Sequence, residues 1–205
     1  MSDIPGPWVM AITGDVGAGK STVSRILESM GWALIDADKV VAGLWRTPGV
    51  INAAVERWGD GILENGDVVR ARIAALIFND RDEYNWTMSL LHPLAKEEMR
   101  LGVETLKEEG KPIAAEIQMF FESGVYPWVT LKTFVTASRE TRLKRCLTRG
   151  WDKAEMSKRE SFFMQSEERM ALSDFVIRND GSFDELRKVV DDINGALYSL
   201  IRGEG

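Results

Sequence analysis

An α/β fold, a parallel sheet covered by helices, is predicted from three observations. Short apolar runs bounded by glycine alternate along the chain with stretches of helical periodicity. A glycine-rich segment, Gly14-Asp15-Val16-Gly17-Ala18-Gly19-Lys20-Ser21-Thr22, lies between the first apolar run and the first helical stretch. The residues suited to chemistry follow predicted strands, at 14–22, 36–38, 116–122 and 179–181. Open parallel sheets bind ligands beyond the carboxyl ends of their strands.

Trp8–Thr13 reads as a buried first strand. Residues 14–22 then fit the phosphate-loop spacing of glycine, four free positions, glycine, lysine and serine. Small residues let the backbone N–H groups from Gly14 through Val16, Gly17, Ala18 and Gly19 to Thr22 converge on one anion, and the helix that follows adds positive potential. Lys20 suits the β- and γ-phosphates of a nucleotide, and the Ser21 hydroxyl suits Mg²⁺. Val23, Ile26, Leu27 and Met30 fall on one face of a helix from Lys20 to Met30, with Gly31 at its C-cap. Ala33–Asp36 is a second strand. It delivers two carboxylates, Asp36 and Asp38, beside the loop. One suits Mg²⁺ through water and the other a proton from an attacking hydroxyl; aspartate is also an ordinary helix N-cap, and spacing alone does not separate these roles.

From 48 to 109 the pattern is helical, punctuated by Pro48-Gly49, Gly59–Gly61 and Asn65-Gly66. His92, the one histidine, precedes Pro93, which places it in the cap region of a helix beginning at the proline. Strands are predicted at Ile113–Phe121 and Leu131–Ala137. Glu116 and Glu122 close the first of these, and the residues alone favour exposed strand-end glutamates over partners of a metal. Ser138 caps a helix to Arg149, and Glu155–Ser173 reads as one polar, basic helix. Arg149 and Arg159 there suit phosphate oxygens if the segment closes as a lid, and suit a solvated helix face equally well. Phe175–Ile177 is a last strand, and Ser182–Glu185 is a capping box opening a helix with Leu186, Val189, Val190, Ile193 and Leu197 on one face. Two helical insertions, 46–109 and 150–170, therefore interrupt a nucleotide-binding core of 1–45, 110–149 and 171–205.

The net charge of −6 argues against general nucleic-acid binding. The charge is uneven: Arg139 to Arg169 carries nine basic and six acidic residues, a net +3 against −9 elsewhere, which suits an anionic ligand. No apolar run has the length of a membrane span, and residues 1–5 lack the pattern of a signal peptide. The single cysteine, Cys146, excludes an internal disulfide, fits a reducing cytoplasm and suits packing. No Cys/His grouping supports zinc, and the dispersed tryptophans suit core packing.

Together these motifs resemble the dephospho-coenzyme A kinase family over nearly the whole chain. The resemblance rests on Ile12–Thr22, on Ile35-Asp36-Ala37-Asp38, on Arg70, Phe78 and His92-Pro93, and on Phe120-Phe121-Glu122-Ser123-Gly124. Glu140-Thr141, Leu143, Arg145, Arg149 and Asp174 to Gly181 complete it. It implies a P-loop NTPase three-layer αβα fold with a parallel five-stranded sheet, a helical acceptor-binding insertion and a short lid. It also implies transfer of the ATP γ-phosphate to the ribose 3′-hydroxyl of dephospho-CoA with Mg²⁺, by a cytoplasmic monomer without nucleic-acid or membrane partners. Asp38 matches the family's general base, and Asp36 and Ser21 fall near the metal. Lys20, Arg149 and Arg159 match phosphate contacts, Asn179 and Gly181 the adenine region, and Arg70, His92 and Glu122, with Asp38, the acceptor pocket. The chain departs from the family's usual residues at Val69, Gln118-Met119, Phe163, Gln165, Arg169 and Arg178. A nucleoside or deoxynucleoside monophosphate kinase on the same scaffold, or a non-catalytic nucleotide-binding protein, is the alternative.

Overall fold

The structure is a computed structural model that describes residues 8–202. The chain forms two compact units: one takes in the chain up to Ile35 and from Gly102 onward, the other Asp36–Leu101.

The first unit is built on a five-stranded parallel sheet. Its strands are β1 (Val9–Gly14), β2 (Ala33–Asp36), β5 (Ile113–Glu116), β6 (Leu131–Thr136) and β7 (Phe175–Arg178), in the order β2-β5-β1-β6-β7. β1 is central, with Ile12 in register with Glu116 on one side and Thr133 on the other. Both its faces are covered, so all six of its residues are buried, as expected where helices flank a parallel sheet. On one face, Trp8, Met10, Ile12, Val135 and Ile177 pack against Val23, Ile26 and Leu27 of α1 (Lys20–Ser29) and Leu186, Val190 and Leu197 of α9 (Phe183–Arg202). Trp32 closes this layer, stacked on Trp8 at 6.4 Å between ring centroids and donating from its indole to Asn194 Oδ1 at 2.8 Å. Cys146 of α6 (Arg139–Leu147) packs with Val16 and with Met156 of α7 (Lys153–Glu160), and burial pushes its thiol pKa up, away from the reactive thiolate.

The second unit carries α2 (Ala37–Leu44), α3 (Pro48–Trp58), α4 (Arg70–Ile77) and most of α5 (Arg81–Glu108). Arg57 and the Trp58 indole both donate to the Glu83 carboxylate, and Trp58 meets Trp86 edge to face at 4.9 Å.

The element readings for β1, α1, β2, β6, α6 and β7 hold to within two residues of the observed bounds. Ser138 accepts from the Thr141 N–H, and Ser182 and Glu185 exchange the two hydrogen bonds of a capping box. Four expectations fail. Residues 63–68 form an antiparallel ribbon, β3 (Leu63–Glu64) with β4 (Asp67–Val68), in the stretch expected to be helical. Asn65 and Gly66 turn it with φ of 52° and 86°, the paired positive values of a type I′ turn. The β5 strand ends at Glu116 and does not run to Phe121, because the aromatic residues beyond it pack on one another: Phe120 stacks on Tyr126 at 5.2 Å. The stretch 155–173 is two helices, α7 and α8 (Ser166–Ala171), broken where Met164 N–H donates to Glu122 rather than back into a helix. Pro93 lies inside α5, so His92 is a mid-helix residue and no cap.

Candidate functional site

The phosphate loop forms where β1 runs into α1. Gly14 passes so close to β6 that a Cβ there would meet the Val135 carbonyl oxygen at 2.0 Å, so only glycine fits. A Cβ on Gly19, whose φ is 98°, would sit 2.4 Å from Asn179 Nδ2. Within the loop, Ala18 N–H donates to the Asp15 carbonyl at 3.2 Å. Lys20 is buried, and its ammonium donates to the carbonyls of Gly14 and Asp15 at 3.3 and 3.0 Å. The lysine is thus folded over the loop it serves, a cationic group held at the mouth of a backbone cradle.

Glu116 reaches this site. Its two carboxylate oxygens accept from Ser21 Oγ at 2.8 Å and from Ser24 Oγ at 3.0 Å. The sequence placed Glu116 at a strand end, and the register of β5 beside β1 was the signal that sets it next to the loop helix. A hydroxyl on the first turn of α1 beside one carboxylate is the donor set for Mg²⁺ that is shared with phosphates. Among the described residues no group of three or more His, Cys, Asp or Glu side chains has the arrangement of a protein-only metal cage. The loop with Ser21 and Glu116 therefore fits a metal brought in with a nucleotide.

The back of the loop is held from α6 and the turn after β7. Asn179 is buried, and its side-chain amide donates to the Ala18 carbonyl at 2.8 Å. Arg145, which lies outside the expected site set, donates to the Ala18 and Asn179 carbonyls at 3.1 and 2.9 Å. Gly181 lies two residues further on, beside the Glu185 carboxylate. Arg149 is exposed just beyond the end of α6. Arg159 of α7 donates to Glu155 at 2.8 Å, with its guanidinium 4.0 Å over the Trp151 ring.

Glu122 accepts from Met164 N–H with one oxygen, and its other oxygen is buried without a hydrogen-bond partner among the described residues. In the Asp36–Leu101 unit, Asp36 is the N-cap of α2, accepting from the N–H groups of Asp38 and Lys39 at 3.0 and 3.2 Å. Asp38 and Arg70 are exposed. His92 is half-buried; burial first, and then the Lys96 charge, holds its pKa below the ordinary histidine value.

The sequence model of dephospho-CoA kinases matches residues 8–185. The chain belongs to the dephospho-CoA kinase family. The dephospho-CoA kinase of Helicobacter pylori is 36% identical over 186 residues, covering 89% of this chain and 93% of its own. That of Geobacillus kaustophilus is 32% identical over 184 residues, covering 87% and 91%. A Thermus thermophilus protein of known crystal structure superposes with a TM-score of 0.74 at 28% identity, over 94% of this chain and 98% of that one. Membership in the dephospho-CoA kinase family makes this chain an ATP-using phosphotransferase, and its parallel sheet, glycine loop and buried lysine are the parts such an enzyme needs.

Proposed function

We propose that this chain phosphorylates the ribose 3′-hydroxyl of dephospho-CoA with Mg²⁺-ATP, releasing CoA and ADP. The observation that carries this is the phosphate loop with Lys20 buried over it and Ser21 joined to Glu116, in a chain of the dephospho-CoA kinase family. The loop N–H groups bind the phosphates, and Lys20 turns from the Gly14 and Asp15 carbonyls to the transferring phosphoryl group. Bound Mg²⁺ would neutralise charge on the phosphate oxygens, and Ser21 with Glu116 would hold it. Asp36, one oxygen of which caps α2, would meet the metal only through water. Asp38 orients the acceptor hydroxyl and takes its proton as the oxygen attacks. Arg149 and Arg159 supply charge to the γ-phosphate. For Arg159 this requires exchanging Glu155 for phosphate, a trade between two anions at the same guanidinium fork. Asn179, whose amide is engaged with the loop, and Gly181 form the floor under adenine. Arg70, His92 and the unpaired oxygen of Glu122 bind the acceptor. Residues 46–109 are the acceptor-binding insertion and 150–170 the lid. The enzyme works as a cytoplasmic monomer on a small molecule.

The test is product analysis. Dephospho-CoA incubated with Mg²⁺-ATP should gain one phosphate, and phosphorus NMR should place it on the 3′-oxygen. Phosphate transfer to water alone would refute the reading.

A further inference from the structure

The phosphate loop carries a carboxylate of its own. Asp15 follows Gly14 directly, and its side chain is buried, in a loop whose task is to attract a polyanion. Its charge is met from two sides: Nε of the buried Arg142 on α6 stands 4.0 Å from Asp15 Oδ2, and the closer cation comes from the second half of the lid. Arg169 of α8, itself buried, donates from Nη2 to Asp15 Oδ1 at 2.9 Å and from Nη1 to the Gly14 carbonyl at 3.5 Å. Ser166 donates to the same Asp15 oxygen at 2.5 Å, and Thr136 at the end of β6 donates to the other at 2.6 Å. The Arg169 guanidinium lies 5.0 Å from the Phe134 ring centroid and 5.3 Å from that of Phe163, in apolar surroundings where an uncompensated charge is costly.

We propose that Asp15 and Arg169 are a positioning pair that sets the electrostatic field of the phosphate loop and fixes α8 to it. Two consequences follow from the charges. The Asp15 carboxylate repels the nucleotide phosphates, and Arg169 cancels that repulsion. The pair also has a mechanical side, because Asp15 uses its backbone for the loop and its carboxylate for α8. Asp15 N–H donates to the Val135 carbonyl at 3.0 Å and its carbonyl accepts from Lys20. The lid therefore divides: α8 is tied to the loop, and lid motion is confined to the chain before Ser166.

The inference rests on reading residues 14–22 as a nucleotide-phosphate site. ADP binding, measured by calorimetry, tests it because the two single variants are expected to move in opposite directions. Removing the cation in R169Q leaves the Asp15 carboxylate with Arg142 alone, 4.0 Å away and itself bonded to Glu160, and should weaken ADP about tenfold, the order expected for one charge acting on a polyanion at protein-like dielectric. Removing the anion in D15N leaves a bare guanidinium and should tighten ADP several-fold. R169K keeps the charge and should stay within about twofold of the parent, as should the doubly neutral D15N/R169Q. A purely structural pair would weaken binding in both single variants, and that result would overturn the proposal. So would R169Q binding as the parent does. If R169Q does not fold, D15N decides alone: tighter binding supports the proposal, and unchanged or weaker binding overturns it. A parent chain that binds no ADP would refute the nucleotide-site reading itself.

Discussion

The phosphate-loop region and the Asp36–Leu101 unit differ in how they hold their candidate residues. Around the loop, Lys20, Asn179, Arg145 and Glu116 are each fixed by hydrogen bonds to backbone or hydroxyl groups, and Lys20 and Asn179 are buried. In the Asp36–Leu101 unit, Asp38 and Arg70 are exposed, and His92 lies half-buried within a long helix. Under the proposed function, donors already held around the loop leave little beyond the turn of Lys20 to reorganise during reaction, which suits the phosphate side to transition-state charge. Under the proposed function, the Asp36–Leu101 unit would gain its order from the acceptor, and specificity would be set there by binding energy.

This contrast yields predictions of graded size. Lys20→Ala should lower kcat/KM for ATP by about three orders of magnitude, because it removes a held cation from the developing charge. A loss under about tenfold in a steady-state assay would break the claim that the loop is preorganised around this lysine. Asp38→Asn should leave ATP affinity within about twofold and cut turnover by about 10²–10⁴, the usual worth of a positioned acid or base. Parallel loss of ATP binding, seen by calorimetry, would place Asp38 on the phosphate side instead. Glu116→Gln should lower activity by about 10–100-fold and raise the Mg²⁺ concentration needed for half-maximal rate, since the amide keeps the shape but loses the charge facing Ser21. An unchanged Mg²⁺ titration would separate Glu116 from the metal.

The smallest effect concerns His92. Its folded pKa is held down, so the folded chain binds fewer protons than the unfolded chain as pH falls through the ordinary histidine range near ~6.5. Its contribution is therefore unfavourable below that range and absent above it. Thermal melts should show the parent losing stability on acidification relative to His92→Gln, with the two differences converging at higher pH. Equal pH dependence in both would show that burial of His92 is not what sets its charge.

The phosphate side was also the legible side. Gly14, Gly19, Lys20 and Ser21 are dictated by the geometry of wrapping backbone around an anion, so their spacing is local and shows in one chain. The placement of Glu116 is not legible locally because it depends on register: only the pairing of β5 with β1 brings it to Ser21, 95 residues away in sequence. Arg145 and Asp15 escaped for the same reason, since each acts across long separations on carbonyls or guanidinium groups. The β3–β4 ribbon did carry a local signal in Asn65-Gly66, but strands of two residues are too short to show alternation. In α5, surrounding helical pattern outweighed the break expected at Pro93.

The most direct test of the central claim is ADP release from Mg²⁺-ATP with dephospho-CoA, set beside a panel of nucleoside monophosphates. The account predicts acceptor-dependent release with dephospho-CoA and none above background with the monophosphates. Release driven by a monophosphate, and not by dephospho-CoA, would keep the phosphate-loop chemistry and contradict the acceptor.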